Sequence, residues 1–309
     1  MINDYFKILE FDKIQSRLKD FAVSDFAKEL AENILPDSDI EIVRDNLNLT
    51  SEAVKIFAIN SPPLDGIFDI RAVLKKISLG SSADSEELLN ILSTMFAMRN
   101  VKKFFKESEL DTPKLKFRAG QIEILGNLEK QLDNAIDEHG AVKDSASMDL
   151  HRIRRELRTA QSKIKSEIFN ILHDSSKQKY FQDTIITMRG DRYVVPVKLE
   201  YKSQFAGIVH DQSATGATVF IEPMAIVNLN NSIKQLEAEE RAEVNRILRE
   251  YISLIAPLVP AIPEFSLKRF FRLYSGLLQV ILKNPCQVLY LSAQLYLQVS
   301  KDVAQILNP

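Results

Sequence analysis

Tryptophan is absent from this sequence, cysteine occurs once, at Cys286, and only 9 of its 309 residues are glycine. A lone cysteine excludes an internal disulfide framework and, with no cleavable leader or basic transit segment, points to the cytoplasm. So few glycines argue against an α/β enzyme built on Gly-rich loops, and a phosphate-binding loop ending in Lys-Ser or Lys-Thr is missing. Metal chemistry lacks its ligands: His139, His151 and His173 are far apart in helical context, and Cys286 has no ligand beside it. Neither a metal site nor a catalytic residue is expected. A strong charge of one sign is lacking too. The formal net charge is −2 and the isoelectric point is near 6.2, so any nucleic-acid surface has to be local. The stretch from Asn284 to Ser300 is uncharged, but Pro285, Gln287, Gln294 and Gln298 make it a poor membrane span, since each buried amide needs a partner in lipid. No membrane association is expected.

What is present is 45% hydrophobic residues, enough to bury a core, and helical periodicity over most of the length. The pattern predicts helices over residues 1–19, 24–35, 40–59, part of 66–80, 85 toward 105, and 115–137. Asp37, Ser38 and Asp39 offer N-cap oxygens, as do Asp84 and Ser85, while Gly140 suits a C-terminal cap. A longer helix after residues 144–147 carries Met148, Leu150, Ile153, Leu157, Ile164, Ile168 and Leu172 on one face. A second, over 227–255 after Pro223 in its first turn, carries Ile233, Leu236, Val244, Ile247, Leu248 and Tyr251. Complementary apolar stripes predict an antiparallel pair.

Between these helices lies the one convincing strand-forming block. Short β-branched and aromatic runs at 184–188, 192–198, 207–211 and 218–221 are separated by Gly, Asp, Ser and Gln, and Arg189-Gly190-Asp191 supplies a tight turn. The expected fold is mainly α: a helical core with two long antiparallel helices carrying a small β-rich module. From Arg152 to Lys202 there are twelve Lys and Arg against six acids, a local excess on a chain whose total is negative. Arg189, Arg192, Tyr193, Lys198, Tyr201 and Lys202 place cations and phenol hydroxyls on the module, which suits contacts to a sugar-phosphate backbone without base reading. Arg152, Arg155, Arg158 and Lys163 form a second basic face on the preceding helix. His210-Asp211-Gln212-Ser213 invites a nucleophilic reading, but adjacent residues of a strand point to opposite faces and form no relay. Asp211 and Ser213 are expected to shape a turn.

These residues carry a resemblance. RGDRYVVPVK, then GIVHDQSATGATVFIEP, then NLNN and a charged helix with RILRE are similar to the second bacterial MutS family, MutS-two. LEFDKI, PPLDGIFDIR, VKKFF and DSAS…LHRIRRELR extend the likeness, which runs from about Leu9 to Tyr251. The resemblance implies a helical core at 1–143, an ascending lever helix at 144–182, a β clamp module at 183–222, a descending lever helix at 223–256, and a divergent tail at 257–309 in place of the end of the core. It also implies that full-length relatives join these parts to an ATPase, which would use ATP and Mg²⁺, and to a nuclease-like domain. Family members are linked to branched DNA, suppression of homologous recombination, and rescue of collided ribosomes, with rRNA as a further ligand, and they dimerise chiefly through the ATPase. The family lacks the mismatch-reading domain of mismatch-repair MutS, so Phe105-Lys106-Glu107 is not carried over as its probing motif. The apolar, Gln-rich tail departs from the family, as a truncated product, a shifted frame or a cut fragment would.

The expected function is a nucleic-acid clamp and lever portion of a MutS-two-like ATPase, without a catalytic centre of its own. The alternatives are a helical scaffold that pairs with a protein partner through apolar residues such as Ile164, Ile168 and Ile247, or an inactive truncated product.

Overall fold

Helix starts follow capping chemistry. In the computed structural model, which describes residues 10–21, 25–35 and 39–259, Asp39 accepts the Glu41 N–H at 2.8 Å and opens the helix that follows it. Asp84 and Glu87 form a reciprocal capping box, each carboxylate taking the other residue's backbone N–H, at 2.8 and 2.9 Å. The helices run α1 (Phe11–Phe21), α2 (Asp25–Glu32), α3 (Ile40–Ile59), α4 (Arg71–Ser78), α5 (Ser85–Glu107), α6 (Pro113–Gly120), α7 (Gly126–Ala135), α8 (Met148–His173) and α9 (Val227–Ile255). Residues 1–9 of the first expected helix, Cys286, the stretch Asn284 to Ser300 and nearly all of the expected tail lie outside the described residues. Among the described residues no helix is long and apolar enough to cross a membrane.

The chain divides into two compact units, one of residues 142–250 and one made of the residues before and after it. In the latter, Ile56, Leu88, Ile91, Phe105, Leu115 and Leu132 are buried from solvent. Each contributes about 1.5–3 kcal/mol of apolar burial. The buried Glu52 of α3 accepts the N–H groups of Lys114 and Leu115 at 3.2 and 2.9 Å, so a carboxylate caps the positive end of α6. The single helix expected over 115–137 is two helices. Gly120 ends α6, Ile122 turns into the core, and its carbonyl accepts Lys102 Nζ at 2.6 Å.

In the unit of residues 142–250, Ser147 caps α8, taking the Leu150 N–H at 2.9 Å and donating its hydroxyl to Glu243 of α9 at 2.7 Å. Arg154 joins the same ends, donating to the Val142 carbonyl, to Asp144 and to Glu240 at 2.7, 2.7 and 2.6 Å. The start of α8 therefore lies beside the later part of α9, the antiparallel arrangement that the apolar stripes predict. Met148 is the exception to the predicted stripe: it is 91% exposed. The chain between the two helices forms four antiparallel strands, β1 (Thr187–Arg189), β2 (Arg192–Lys198), β3 (Gly207–Gln212) and β4 (Thr218–Pro223), in spatial order β1-β2-β4-β3. Ile185 and Ile186, predicted to pair, precede β1, and Pro223 ends β4 instead of opening the helix.

Positive φ at Gly190 (53°) and Asp191 (55°) gives the type I′ turn whose twist suits a two-residue hairpin, with Arg189 opposite Arg192. The sheet lays Tyr193, Val195, Val197, Val219 and Ile221 against Ile164, Ile168 and Leu172 of α8 and Ile233 of α9. At Gly207 a side chain has no room, since a Cβ there would sit 2.4 Å from the Glu222 carbonyl oxygen and from Ile221 Cγ2.

One fully buried carboxylate ties these parts together. Glu222 of β4 accepts from Arg192 of β2 at 2.7 Å and from Asn230 of α9 at 2.8 Å on one oxygen, and lies 2.6 Å from His210 Nε2 of β3 on the other. The Asn230 amide also bonds both backbone groups of Tyr193, at 3.0 and 3.1 Å. In the hairpin register the Tyr193 N–H and C=O point away from β1, so this side-chain amide stands where a neighbouring strand would. Arg192 extends the network to Asn231 at 2.7 Å.

Two outcomes follow from this packing. Glu222→Ala removes the carboxylate that the buried Asn230 amide and the partly buried Arg192 guanidinium share and should cost about 1–3 kcal/mol, read as a shift in the chemical denaturation midpoint. Glu243, held by Arg246 and by the Ser147 hydroxyl, has its carboxyl pKa lowered to about 2 from an ordinary 4.5. A depressed folded-state pKa means stability present above pH ~4.5 and lost as pH falls toward ~2. Glu243→Gln should flatten that acid limb of a midpoint-against-pH curve.

Candidate nucleic-acid interface

The cations counted along the sequence do not all remain available. Of the twelve Lys and Arg between Arg152 and Lys202, six are ion-paired: Arg152, Arg154, Arg158, Lys177, Arg189 and Arg192. Several of the acids that neutralise them, Asp144, Asp211, Glu222 and Glu240, lie outside that stretch. Arg154 and Arg158 hold the Asp144 carboxyl below its ordinary range through their hydrogen bonds. Among the described residues Arg155, Lys163, Lys165, Lys179, Lys198 and Lys202 form no ion pair. The first three are exposed along α8 and the last three belong to the chain segments around the sheet. Of the second basic face, Arg155 and Lys163 thus keep their charge free, while Arg152 pairs with Glu156 at 3.2 Å.

The six residues singled out on the module separate into two groups. The Arg189 guanidinium carbon lies 4.0 Å from the Phe220 ring centroid, and Arg189 donates to Asp211 at 2.9 Å. Arg192 sits in the Glu222 network, and the Tyr193 ring is buried in the core, its hydroxyl without a hydrogen-bond partner among the described residues. These three are committed to the sheet itself. Burial departs here from the expectation of a surface phenol at Tyr193.

Lys198, Tyr201 and Lys202 are placed differently. Lys198 ends β2, and Leu199–Tyr201 form a 3₁₀ turn whose Leu199 and Tyr201 carbonyls accept the Lys202 and Gln204 N–H groups. Beside them runs a segment the sequence reading left out. Gln178–Tyr180 form another 3₁₀ turn, Phe181 bridges to Val197, and the Gln182 N–H bonds the Pro196 carbonyl at 2.9 Å. That bridge brings Lys179 and Tyr180 to the end of β2. Lys198 Nζ lies 3.4 Å from the Lys179 carbonyl, and the Tyr180 and Tyr201 rings are 5.2 Å apart. The available signal was the recurrence of adjacent Lys and Tyr, at 179–180 and 201–202, on short polar segments flanking strand-forming residues.

His210 and Ser213 serve separate structural roles. The register of β3 on β4 shifts between Val209 and Asp211, a bulge in which His210 reaches Glu222. Ser213 accepts the Thr218 N–H at 3.1 Å within the following turn. Among the described residues no group of three or more His, Cys, Asp or Glu could hold a metal ion. With no Lys-Ser or Lys-Thr phosphate loop in the sequence, no residue is assigned to ATP or Mg²⁺.

No family model matches the chain. Among curated proteins it is similar to one named Endonuclease MutS2 from Geobacillus sp. (strain WCH70), 41% identical over 261 residues, covering 83% of this chain and 33% of that relative. Proteins of the same name from Bacillus cereus (strain ATCC 10987 / NRS 248) and Clostridium botulinum (strain Eklund 17B / Type B) are 39% identical over 252 residues and 41% over 245. They cover 80% and 78% of this chain, and 32% and 31% of their own lengths. The chain thus spans about a third of the length of the curated relatives it matches. Identity near 40% over about four fifths of the chain places it: the chain belongs to the MutS2 family.

Proposed function

We propose that the described unit of residues 142–250 is a nucleic-acid clamp, with α8 and α9 as levers and the sheet as the gripping module, in a cytoplasmic protein. The observation that carries this reading is the convergence of Lys179, Lys198 and Lys202, none of them ion-paired among the described residues, at one end of the sheet. Cations carried on adjoining segments without acids to pair them favour the binding of an anion. A sugar-phosphate backbone supplies anions at regular spacing and releases its counterions in exchange.

The contacts are non-specific in sequence, because lysines reach phosphates and carry no base code. Arg189 and Arg192 have a positioning role, the first packed on Phe220 and the second on Glu222. Arg155, Lys163 and Lys165 extend the cationic surface along α8. Branched DNA is the leading ligand, and the RNA of a stalled ribosome the other; both present the same backbone charge. In a full-length relative, nucleotide-driven movement of the levers would open and close such a clamp. The competing scaffold reading loses its surface, since Ile164, Ile168 and Ile247 are all buried.

Binding of this chain to branched DNA, linear duplex and ribosomes, titrated with salt, tests the reading. The affinity should fall steeply, and changing Lys179, Lys198 and Lys202 together to Glu should reduce the log–log slope by about three. Binding that is indifferent to salt, or unchanged in the triple variant, overturns the assignment. The tightest of the three ligands names the physiological partner.

A further inference from the structure

The lysine cluster is interleaved with aromatic rings, and this pairing has a chemical consequence beyond phosphate attraction. Tyr180 and Tyr201 face each other at 5.2 Å with their planes tilted by 50°. Phe205 braces Tyr180 edge-on from 6.4 Å and Phe181 from 5.4 Å, so the rings are set by packing against the core. Both tyrosines are only half-buried. Neither hydroxyl has a hydrogen-bond partner among the described residues, and neither is sealed from solvent. Buried tyrosines ordinarily satisfy that hydroxyl, so the outer ends of these two reach water. The Lys179 ammonium lies over the Tyr180 ring at 5.2 Å, a cation on the ring face that a base would take in its place.

We propose that Tyr180 and Tyr201 form a stacking platform for unpaired bases, with Lys179, Lys198 and Lys202 holding the flanking phosphates. The platform rests on the clamp reading and narrows its ligand to single-stranded segments, such as those at the junction of a branched DNA or in an RNA loop. Stacking needs an exposed base face, which a continuous duplex offers only at its ends, whereas phosphates are available in both. Every base has such a face, so the platform is tolerant of sequence.

The test uses the complete chain and fluorescently labelled oligonucleotides: a short oligothymidylate, the same length with its central nucleotides abasic, the corresponding oligouridylate, and a duplex. The abasic strand keeps the phosphates and loses the bases. The base-bearing strands should bind about tenfold more tightly than the abasic one. Tyr180→Leu and Tyr201→Leu keep apolar bulk against the core and should erase that difference. Equal binding of base-bearing and abasic strands overturns the platform and leaves the lysine clamp standing. Failure to bind any nucleic acid at low salt overturns both. The abasic comparison is made on the unaltered chain, so it decides even where a leucine variant folds less well. A preference between oligothymidylate and oligouridylate assigns the source to DNA or RNA.

Discussion

Burying a carboxylate is costly unless every lone pair is met, and Glu222 satisfies this condition by drawing three segments of chain onto itself. Arg192 comes from the strand beside it, Asn230 from the helix that follows, and His210 from a bulge in the edge strand. The bulge leaves His210 out of the pairing of β3 with β4 and within reach of Glu222. Asn230 in turn supplies the hydrogen bonds that Tyr193 would otherwise take from another strand. The module is small, and its edge strand β3 is largely exposed, so apolar burial alone does not fix its register. A polar centre that is satisfied in one geometry only supplies that register.

The same requirement reshapes the electrostatics. Cations near buried or capping acids are spent on structure: Arg192 on Glu222, Arg154 and Arg158 on Asp144, Arg189 on Asp211 and Phe220. What remains without an ion pair between Arg152 and Lys202, among the described residues, is Arg155 and five lysines. Lysine suits this role, because a mobile, strongly hydrated ammonium accepts an irregular run of phosphates better than a guanidinium fixed in a fork. With Arg189 and Arg192 engaged, the free charge of the module is left to Lys179, Lys198 and Lys202, beside the two half-buried tyrosines.

Legibility differed between the fold and the site for physical reasons. The helix over Ile40–Ile59 and the strand Arg192–Lys198 matched their predicted limits, since N-cap oxygens and turn residues are local signals. The break between α6 and α7 was not legible, because it depends on Ile122 finding a place in the core and on Lys102 reaching its carbonyl. Lys198, Tyr201 and Lys202 could be picked out from strand-flanking position. Lys179 and Tyr180 offered only the recurrence of an adjacent Lys and Tyr, as their place depends on the Phe181–Val197 bridge, a contact between segments distant in sequence.

Local chemistry thus determined the element types, the hairpin turn at Gly190-Asp191, the apolar faces of the two long helices, and the family motif that spans them. Tertiary structure alone decided which charges are free. Periodicity and propensity act over a few residues, whereas the neutralisation of Arg192 by Glu222 or of Arg154 by Glu240 depends on chain segments that meet only after folding. A count of cations along a sequence cannot see its distant counterions, and the interface is what those counterions leave behind.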